Sequence, residues 1–186
     1  VSLITRSGTN MFRGSGYYVM RDTKTSSNEY FLKLSQLSAD EASKTPKLDK
    51  KIYGGSFGGP VMKDKVFFYA SYYRPVFNRD NRANLYGDLP DYQSRRNEGF
   101  VKVTLRPVNP LLLNVSIRDS HRLEESDLFG SATKSTTGSG FEARLRIGTA
   151  EGSWIIDPQS YLTFKYTNFA NRTLGRPDNV GKTALS

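Results

Sequence analysis

The 186-residue sequence contains no cysteine and a single histidine, His121. Without cysteine the chain can form no disulfide, thiolate metal site or thiol nucleophile. A single histidine excludes metal sites built from several imidazoles of this chain, and the sequence offers no Ser-His-Asp, paired-carboxylate or metal-hydrolase spacing. We therefore expect no enzyme, no cofactor and no metal ion.

Long hydrophobic runs are also missing, since no stretch approaches the roughly 18 apolar residues of a transmembrane helix. A transmembrane β-strand needs only about 9 to 11 residues of alternating polarity, so this absence leaves a membrane β-protein open. Helix-like sequence is scarce, with one weak segment around Tyr30 to Ala42. Aromatic residues are plentiful, with eleven Tyr and eleven Phe. The composition favours an all-β chain.

The formal net charge of +9 raises the question of a nucleic-acid partner. Its Lys and Arg residues are scattered along the chain and do not form one cluster. Many fall in turns or at polar strand positions, where a lumen-facing or solvated role accounts for them. We expect no nucleic acid as a partner.

Alternation of apolar and polar residues predicts seven strands. These are Phe12–Arg21, Lys51–Val61, Val66–Arg79, Glu98–Leu105, Leu111–Asp119, Phe141–Ile156 and Tyr161–Asn171. Short turns alternate with long polar loops between them. The turns are Met62–Lys65, Arg106–Pro110 and Asp157–Ser160, and the loops are Asp22–Lys50, Asp80–Asn97 and Ser120–Gly140. Because outer-membrane barrels have short periplasmic turns and long extracellular loops, we predict an antiparallel up-and-down meander within a transmembrane β-barrel.

The apolar side of each strand is predicted to face lipid. These sides are Val101, Val103 and Leu105; Leu111, Leu113, Val115 and Ile117; Phe141, Ala143, Leu145 and Ile147; and Leu162, Phe164 and Tyr166. Trp154 and Ile156 break the phase set by Leu145 and Ile147, so a bulge is expected between Thr149 and Gly152. We expect Trp154 and Tyr161 to flank the last short turn at the periplasmic headgroup level.

Seven strands are an odd number and leave two open edges, whereas single-chain bacterial barrels have even strand counts. We therefore expect an incomplete wall. A soluble β-sandwich would alternate in the same way. A soluble sandwich or half-barrel that binds glycans or nucleic acid is the alternative interpretation.

Two motifs carry a family resemblance. The segment Leu3–Ser15, with sequence LITRSGTNMFRGS, and the hairpin Tyr53–Tyr69, with sequence YGGSFGGPVMKDKVFFY, resemble TonB-dependent outer-membrane receptors, especially the Oar-like group. In that group the first motif joins the last plug strand to the first barrel strand, and the second motif forms the next two barrel strands. The resemblance implies that residues 1–10 end a plug domain and residues 11–186 form the N-terminal portion of the barrel.

The resemblance further implies a receptor of about 22 strands in the bacterial outer membrane, closed by a plug. Such a receptor takes up or exports large substrates with energy passed through TonB. Its partners would be outer-membrane lipid, a large ligand, and the TonB complex through parts that this sequence lacks. The sequence has no TonB box, almost no plug and no terminal aromatic strand, and it starts at Val1 without a signal peptide, so we expect a fragment.

Other motifs are better explained by strands and loops. Three kinds of motif lack the sequence context that their usual function requires. They are a phosphate cradle at Gly54–Gly59, the end of a Walker-like loop at Gly181–Thr183, and glycosylation acceptor sites at Asn114 and Asn171. Two weaker candidates are a cation cluster and an aromatic-basic platform. The first is His121, Glu124, Glu125 and Asp127; the second is Tyr69, Tyr72, Tyr73, Phe77, Arg74 and Arg79.

Ligand-contacting residues are not identified by the sequence. Long loops on a rigid scaffold commonly carry recognition. The most exposed candidates are therefore Thr23–Lys50, Asp80–Asn97 and Ser120–Gly140.

Overall fold

The computed structural model describes residues 8–22, 48–81, 85–127, 134 and 138–177. Seven strands are present: β1 Arg13–Arg21, β2 Leu48–Met62, β3 Val66–Arg79, β4 Tyr92–Leu105, β5 Leu111–Glu125, β6 Ser139–Asp157 and β7 Ser160–Pro177. Within these ranges no helix is long and apolar enough to cross a membrane. The predicted helix-like segment around Tyr30 lies outside the described residues.

All seven strands lie in one sheet, in sequence order from β1 to β7. Every neighbouring pair is antiparallel. Both terminal strands have an unpaired edge in this part of the chain, and no second sheet covers either face of the described strands. The predicted all-β meander is confirmed. Because a sandwich needs two packed sheets, this arrangement favours the wall of a partial barrel over the soluble alternative.

The strands extend further into the predicted long loops than the alternation indicates. Strand β3 has the predicted bounds, but β4 begins at Tyr92 instead of Glu98, and β5 ends at Glu125 instead of Asp119. The added residues are mostly polar, so they carry no apolar alternation by which a strand is recognised. The three short turns are confirmed, with Asp157 accepting a hydrogen bond from the backbone N–H of Gln159 at 2.8 Å.

Cross-strand partners project from the same side of a sheet, so the register defines two faces. We name the outer face by the residues Val101, Val103, Val115, Ile117, Ala150, Phe164 and Tyr166. The inner face carries Lys102, Thr104, Asn114, Ser116, Thr149, Glu151, Lys165 and Thr167. The predicted polarity of β4, β5 and β7 is thus confirmed, with an apolar band on one side and polar groups on the other.

The predicted polarity of β6 is wrong in its first half. Leu145 pairs with Ser120, and Ile147 pairs with Arg118, so both lie on the inner face. The neighbouring arginines, Arg144 and Arg146, lie on the outer face. This half of β6 belongs to the extracellular end of a 19-residue strand, which is longer than the roughly 9 to 11 residues that cross a bilayer. Lipid does not dictate side-chain polarity beyond the hydrocarbon.

The predicted bulge between Thr149 and Gly152 is also wrong. Pairing of β6 with both neighbours is continuous there, and the register shift lies further on, between Ile155 and Asp157. The apolar residues of β6 lie on the inner face near its extracellular end and on the outer face near Trp154, because the surroundings of the strand differ at its two ends. A bulge with an extra residue is not needed to explain this change of face. Trp154 lies on the outer face near the last turn as expected, whereas Tyr161 pairs with Ile155 on the inner face.

The glycines of the first hairpin lie beneath aromatic rings of β1 and its leading segment. A Cβ at Gly54 would meet the Cζ atom of Tyr17 at 2.2 Å, and one at Gly59 would meet the Cδ1 atom of Phe12 at 2.3 Å. The Phe12 ring also stacks on Phe57, with centroids 5.9 Å apart. Close packing on the strand, and not a phosphate cradle, is therefore the role of these glycines.

Candidate functional site

The inner face of β3, β4 and β5 brings aromatic rings and guanidinium groups together. On β3, Tyr72 and Arg74 lie on the outer face, and Tyr69 and Tyr73 lie on the inner face. The guanidinium of Arg96 lies 5.6 Å from the ring centroid of Tyr73. Four of the six residues of the predicted aromatic-basic platform therefore line the inner face, together with residues of β4.

Two further aromatic contacts extend this inner wall. Tyr69 contacts Phe100 with centroids 6.2 Å apart, and Phe77 meets the edge of Tyr92 at 5.7 Å. The guanidinium of Arg79 lies 4.9 Å from the Tyr92 centroid. Such stacked aromatic and cationic groups can bind planar or polar parts of a ligand.

A carboxylate at the centre of the wall holds two arginines. Glu98 accepts a hydrogen bond from Arg118 of β5 at 2.5 Å and forms an ion pair with Arg96 of its own strand. The Glu98 side chain is only 16% exposed, whereas that of Arg118 is 43% exposed. The shared carboxylate therefore fixes two guanidiniums on the inner face while leaving part of their surface accessible.

A second buried carboxylate lies near the extracellular end. Glu124 is 2% exposed, forms an ion pair with Arg122 and accepts a hydrogen bond from the Ser94 hydroxyl at 3.2 Å. Tyr92 lies beside it, and burial, followed by the nearby Glu124 charge, raises the pKa of its hydroxyl. This end of the wall is a packed polar network beyond the apolar band.

The connection between β3 and β4 is fixed by hydrogen bonds near the extracellular end of β5. The side-chain amide of Asn81 donates to the carbonyl oxygens of Pro90 at 2.7 Å and Ser126 at 2.9 Å. These bonds join the described parts of the second long connection to the end of β5. Toward the periplasmic end, Thr104 donates to the Asn114 side chain at 2.7 Å. Polar side chains thus occur along the whole length of the inner face of these strands, interspersed with the aromatic rings.

Sequence reasoning missed the ionic part of this wall. Arg96, Glu98, Arg118 and Arg122 were not singled out from the sequence, and Glu124 was assigned to the cation cluster. Three residues of this wall, Arg96, Arg122 and Glu124, lie beyond the predicted strand ends. The period-two placement of charges continues through these positions and is the signal by which an extended strand could have been recognised. The arrangement provides charged and aromatic groups that can bind a ligand.

The predicted cation cluster does not assemble. His121 and Glu125 lie on the outer face of β5, whereas Glu124 lies on the inner face. His121 instead contacts the Glu142 carboxylate at 2.9 Å. This contact and then Arg144 lower the pKa of Glu142, which lies near the extracellular end of β6. No group of three potential metal ligands occurs in the described parts of the chain.

The leading segment is fixed to the first periplasmic turn. The Asn10 side-chain amide donates to Asp64 Oδ1 at 2.5 Å, and the Asp64 backbone N–H donates to Asn10 Oδ1 at 2.9 Å. Gly8 allows close approach, because a Cβ there would lie 2.3 Å from the Phe68 carbonyl oxygen. The two sequence motifs are therefore in contact, whereas the domain boundary at residue 10 remains a prediction.

Several other sequence candidates lie partly or wholly elsewhere. Residues 23–47 of the first long loop and the segment Gly181–Thr183 fall outside the described residues. Asn114 and Asn171 lie within β5 and β7, as expected for chance matches to the glycosylation pattern.

Comparison with known proteins agrees with this geometry. The family model described as an outer membrane beta barrel domain matches residues 4–112, which is more than half of the chain. The matched range includes the first motif from its second residue onward, the whole hairpin motif and β1 to β4. No curated protein and no solved structure gives a significant match. The match, the single antiparallel sheet and its two contrasting faces identify a protein of the bacterial outer membrane. The chain belongs to the outer membrane beta barrel domain family.

Proposed function

We propose that this chain is the first part of the barrel wall of an Oar-like TonB-dependent receptor that moves large substrates across the outer membrane. The contact between Asn10 and Asp64 carries the proposal, since it joins the plug-to-barrel motif to the hairpin motif. A receptor whose plug must stay seated in the barrel needs such a fixed point where plug and wall meet.

The inner wall supplies the ligand contacts in this proposal. Positive charge toward the bore is provided by Arg96, Arg118 and Arg122. Aromatic ring surface toward the bore is provided by Tyr73 and Phe100. Charged groups in a water-filled bore tune which solutes bind or pass. The protein works by binding and gating, without covalent chemistry, and it needs no cofactor.

The proposed partners are a large ligand, outer-membrane lipid and the TonB complex. TonB would act through parts of the protein outside this sequence. The experiment therefore uses the complete protein that contains this chain, purified in detergent from outer membranes, and the purified periplasmic domain of TonB as the probe.

We expect the complete protein to retain the TonB domain in a pull-down and in surface plasmon resonance. Removal of the residues that precede the plug should abolish this binding while the barrel stays folded. A folded complete protein that does not bind the TonB domain would contradict the proposal and leave an outer-membrane barrel of another transport class. Arg118→Ala should leave TonB binding unchanged, because its side chain faces the bore.

A further inference from the structure

We propose that three outer-face arginines, Arg144, Arg146 and Arg172, form a binding site for the phosphate groups of outer-leaflet glycolipids. We call these residues the outer arginine cluster. The inference depends on which face of the sheet meets the membrane, and it does not depend on TonB or on transport.

The register of β6 and β7 places the three arginines side by side. Arg144 is the direct cross-strand partner of Arg172, and Arg146 lies two residues from Arg144 on the same face. Like charges directly opposite each other destabilise a sheet. A bound anion between Arg144 and Arg172 would remove this repulsion.

Nearby carboxylates neutralise the cluster only in part. Glu142 accepts a hydrogen bond from Arg144 at 3.0 Å and also contacts His121. Asp119 accepts a hydrogen bond from Arg146 at 3.0 Å. The side chains of Arg144 and Arg146 are still 67% and 73% exposed. Arg172 makes no hydrogen bond or ion pair with any described residue. Each guanidinium has five N–H donors, so most of them remain free for phosphate oxygens.

The height of the cluster corresponds to the outer headgroups. Trp154 marks the periplasmic end of the apolar band on β6, and Arg146 and Arg144 lie eight and ten residues from it along the strand. With about 3.4 Å per residue and a tilt of about 40°, these positions lie roughly 20 to 26 Å above Trp154. The apolar band of such barrels is about 25 Å tall. The arginines therefore lie where the hydrocarbon ends.

The shape of the surface is suited to a headgroup. A groove of about 630 Å³ runs among the three arginines. Its walls also include Asp119, His121 and Ala170 of the outer face and three inner-face residues of β6 and β7. Six of its nine lining residues, including all three arginines, lie on the outer face, so a lipid can reach these guanidiniums by diffusing in the membrane plane. This position favours a phosphorylated lipid over a transported solute.

A matched pair of variants on β7 tests the proposal. Arg172→Ala removes a cation from the outer face, and Lys165→Ala removes one from the inner face of the same strand. The complete protein would be delipidated in detergent and titrated with bisphosphorylated lipid A, with fully dephosphorylated lipid A, or with inorganic phosphate. Native mass spectrometry measures the bound fraction, and the shift of the folded band on unheated gels verifies that each variant is folded.

We expect the bisphosphorylated lipid to bind at least tenfold more tightly than its dephosphorylated form. Arg172→Ala should weaken this binding about fivefold, because this is the contribution typical of one basic residue at a charged membrane surface. The triple variant R144A/R146A/R172A should abolish the binding. Lys165→Ala should leave it unchanged. Equal binding of the two lipids, equal loss in R172A and K165A, or displacement of the lipid by equimolar inorganic phosphate would each overturn the proposal.

Discussion

Asn10 and Asp64 are joined by a reciprocal pair of hydrogen bonds although 54 positions separate them in the sequence. Asp64 has a φ of 63°, in the left-handed region that Asp and Asn tolerate better than most residues. The tight turn thereby directs its backbone N–H and carboxylate toward Asn10. In this way the turn between β2 and β3 holds the segment that leads into β1.

Replacing Asn10 with Ala should lower the free energy of unfolding of the complete protein by about 1 to 2 kcal/mol, because two exposed hydrogen bonds are lost. Urea unfolding in detergent micelles measures the change. Asn109→Ala is the matched control in another periplasmic turn, and we expect an effect within about 0.5 kcal/mol.

A double-mutant cycle of Asn10→Ala and Asp64→Ala separates the contact from effects on either residue alone. A coupling energy near zero would show that the two side chains do not stabilise each other.

Glycines on the outer face of β6 should differ sharply in their tolerance of Ala. A Cβ at Gly140 would lie 1.9 Å from the Glu124 carbonyl oxygen, whereas nothing lies within 4 Å of one at Gly148. Because backbone must move, Gly140→Ala should destabilise the barrel by about 1 to 3 kcal/mol. Gly148→Ala should change stability by less than about 0.5 kcal/mol. Equal urea midpoints for the two variants would contradict this packing.

Glu98→Gln should weaken the inner wall, since one neutral amide cannot replace a carboxylate that pairs with both Arg96 and Arg118. We expect a loss of about 1.5 to 3 kcal/mol in urea unfolding. Glu151→Gln is the control, because Glu151 lies on the same inner face and has no hydrogen-bond or ionic partner among the described residues. A loss as large in E151Q as in E98Q would show that the ion pairs are not its cause.

The contact of His121 with Glu142 should make stability depend on pH in the acid range. The pKa of Glu142 is lowered, so its stabilising contribution is present above the ordinary carboxyl value of 4.5 and is lost as the pH falls through the lowered pKa. Wild type should therefore be more stable than E142Q at pH 6, and the difference should shrink below about pH 4. A difference that stays constant from pH 6 to pH 3 would exclude this linkage.

The alternation of polar and apolar residues predicted the strands well wherever contact with lipid or water determines the polarity of each side chain. On β4 the alternation of Val101, Lys102 and Val103 identified the strand and its faces, because each residue meets either hydrocarbon or the polar bore. The same reasoning found the turns, since their short length and their Pro, Asp and Asn content are set by local geometry.

Prediction failed where the strands leave the hydrocarbon. Leu145 and Ile147 lie on the inner face and Arg144 lies on the outer face, the reverse of the order in the apolar band. Beyond the band both faces meet polar surroundings, so polarity no longer distinguishes them. The Glu98 and Glu124 networks were missed for a related reason, since cross-strand partners depend on register, which a single strand's sequence does not reveal.

The central claim is that the outer face contacts lipid and the inner face contacts water or a plug. Because the chain has no cysteine, single spin labels can be placed at V103C, I117C and A150C on the outer face, and at K102C, S116C and T149C on the inner face. Each label would be placed in a variant of the complete protein that has no other cysteine and is reconstituted in bilayers. Electron paramagnetic resonance then compares the accessibility of the label to oxygen with its accessibility to a water-soluble nickel chelate. We predict high oxygen and low nickel accessibility at the three outer positions, with lower oxygen accessibility at the inner ones. Equal accessibility of the two faces, or nickel access at V103C, would contradict the account.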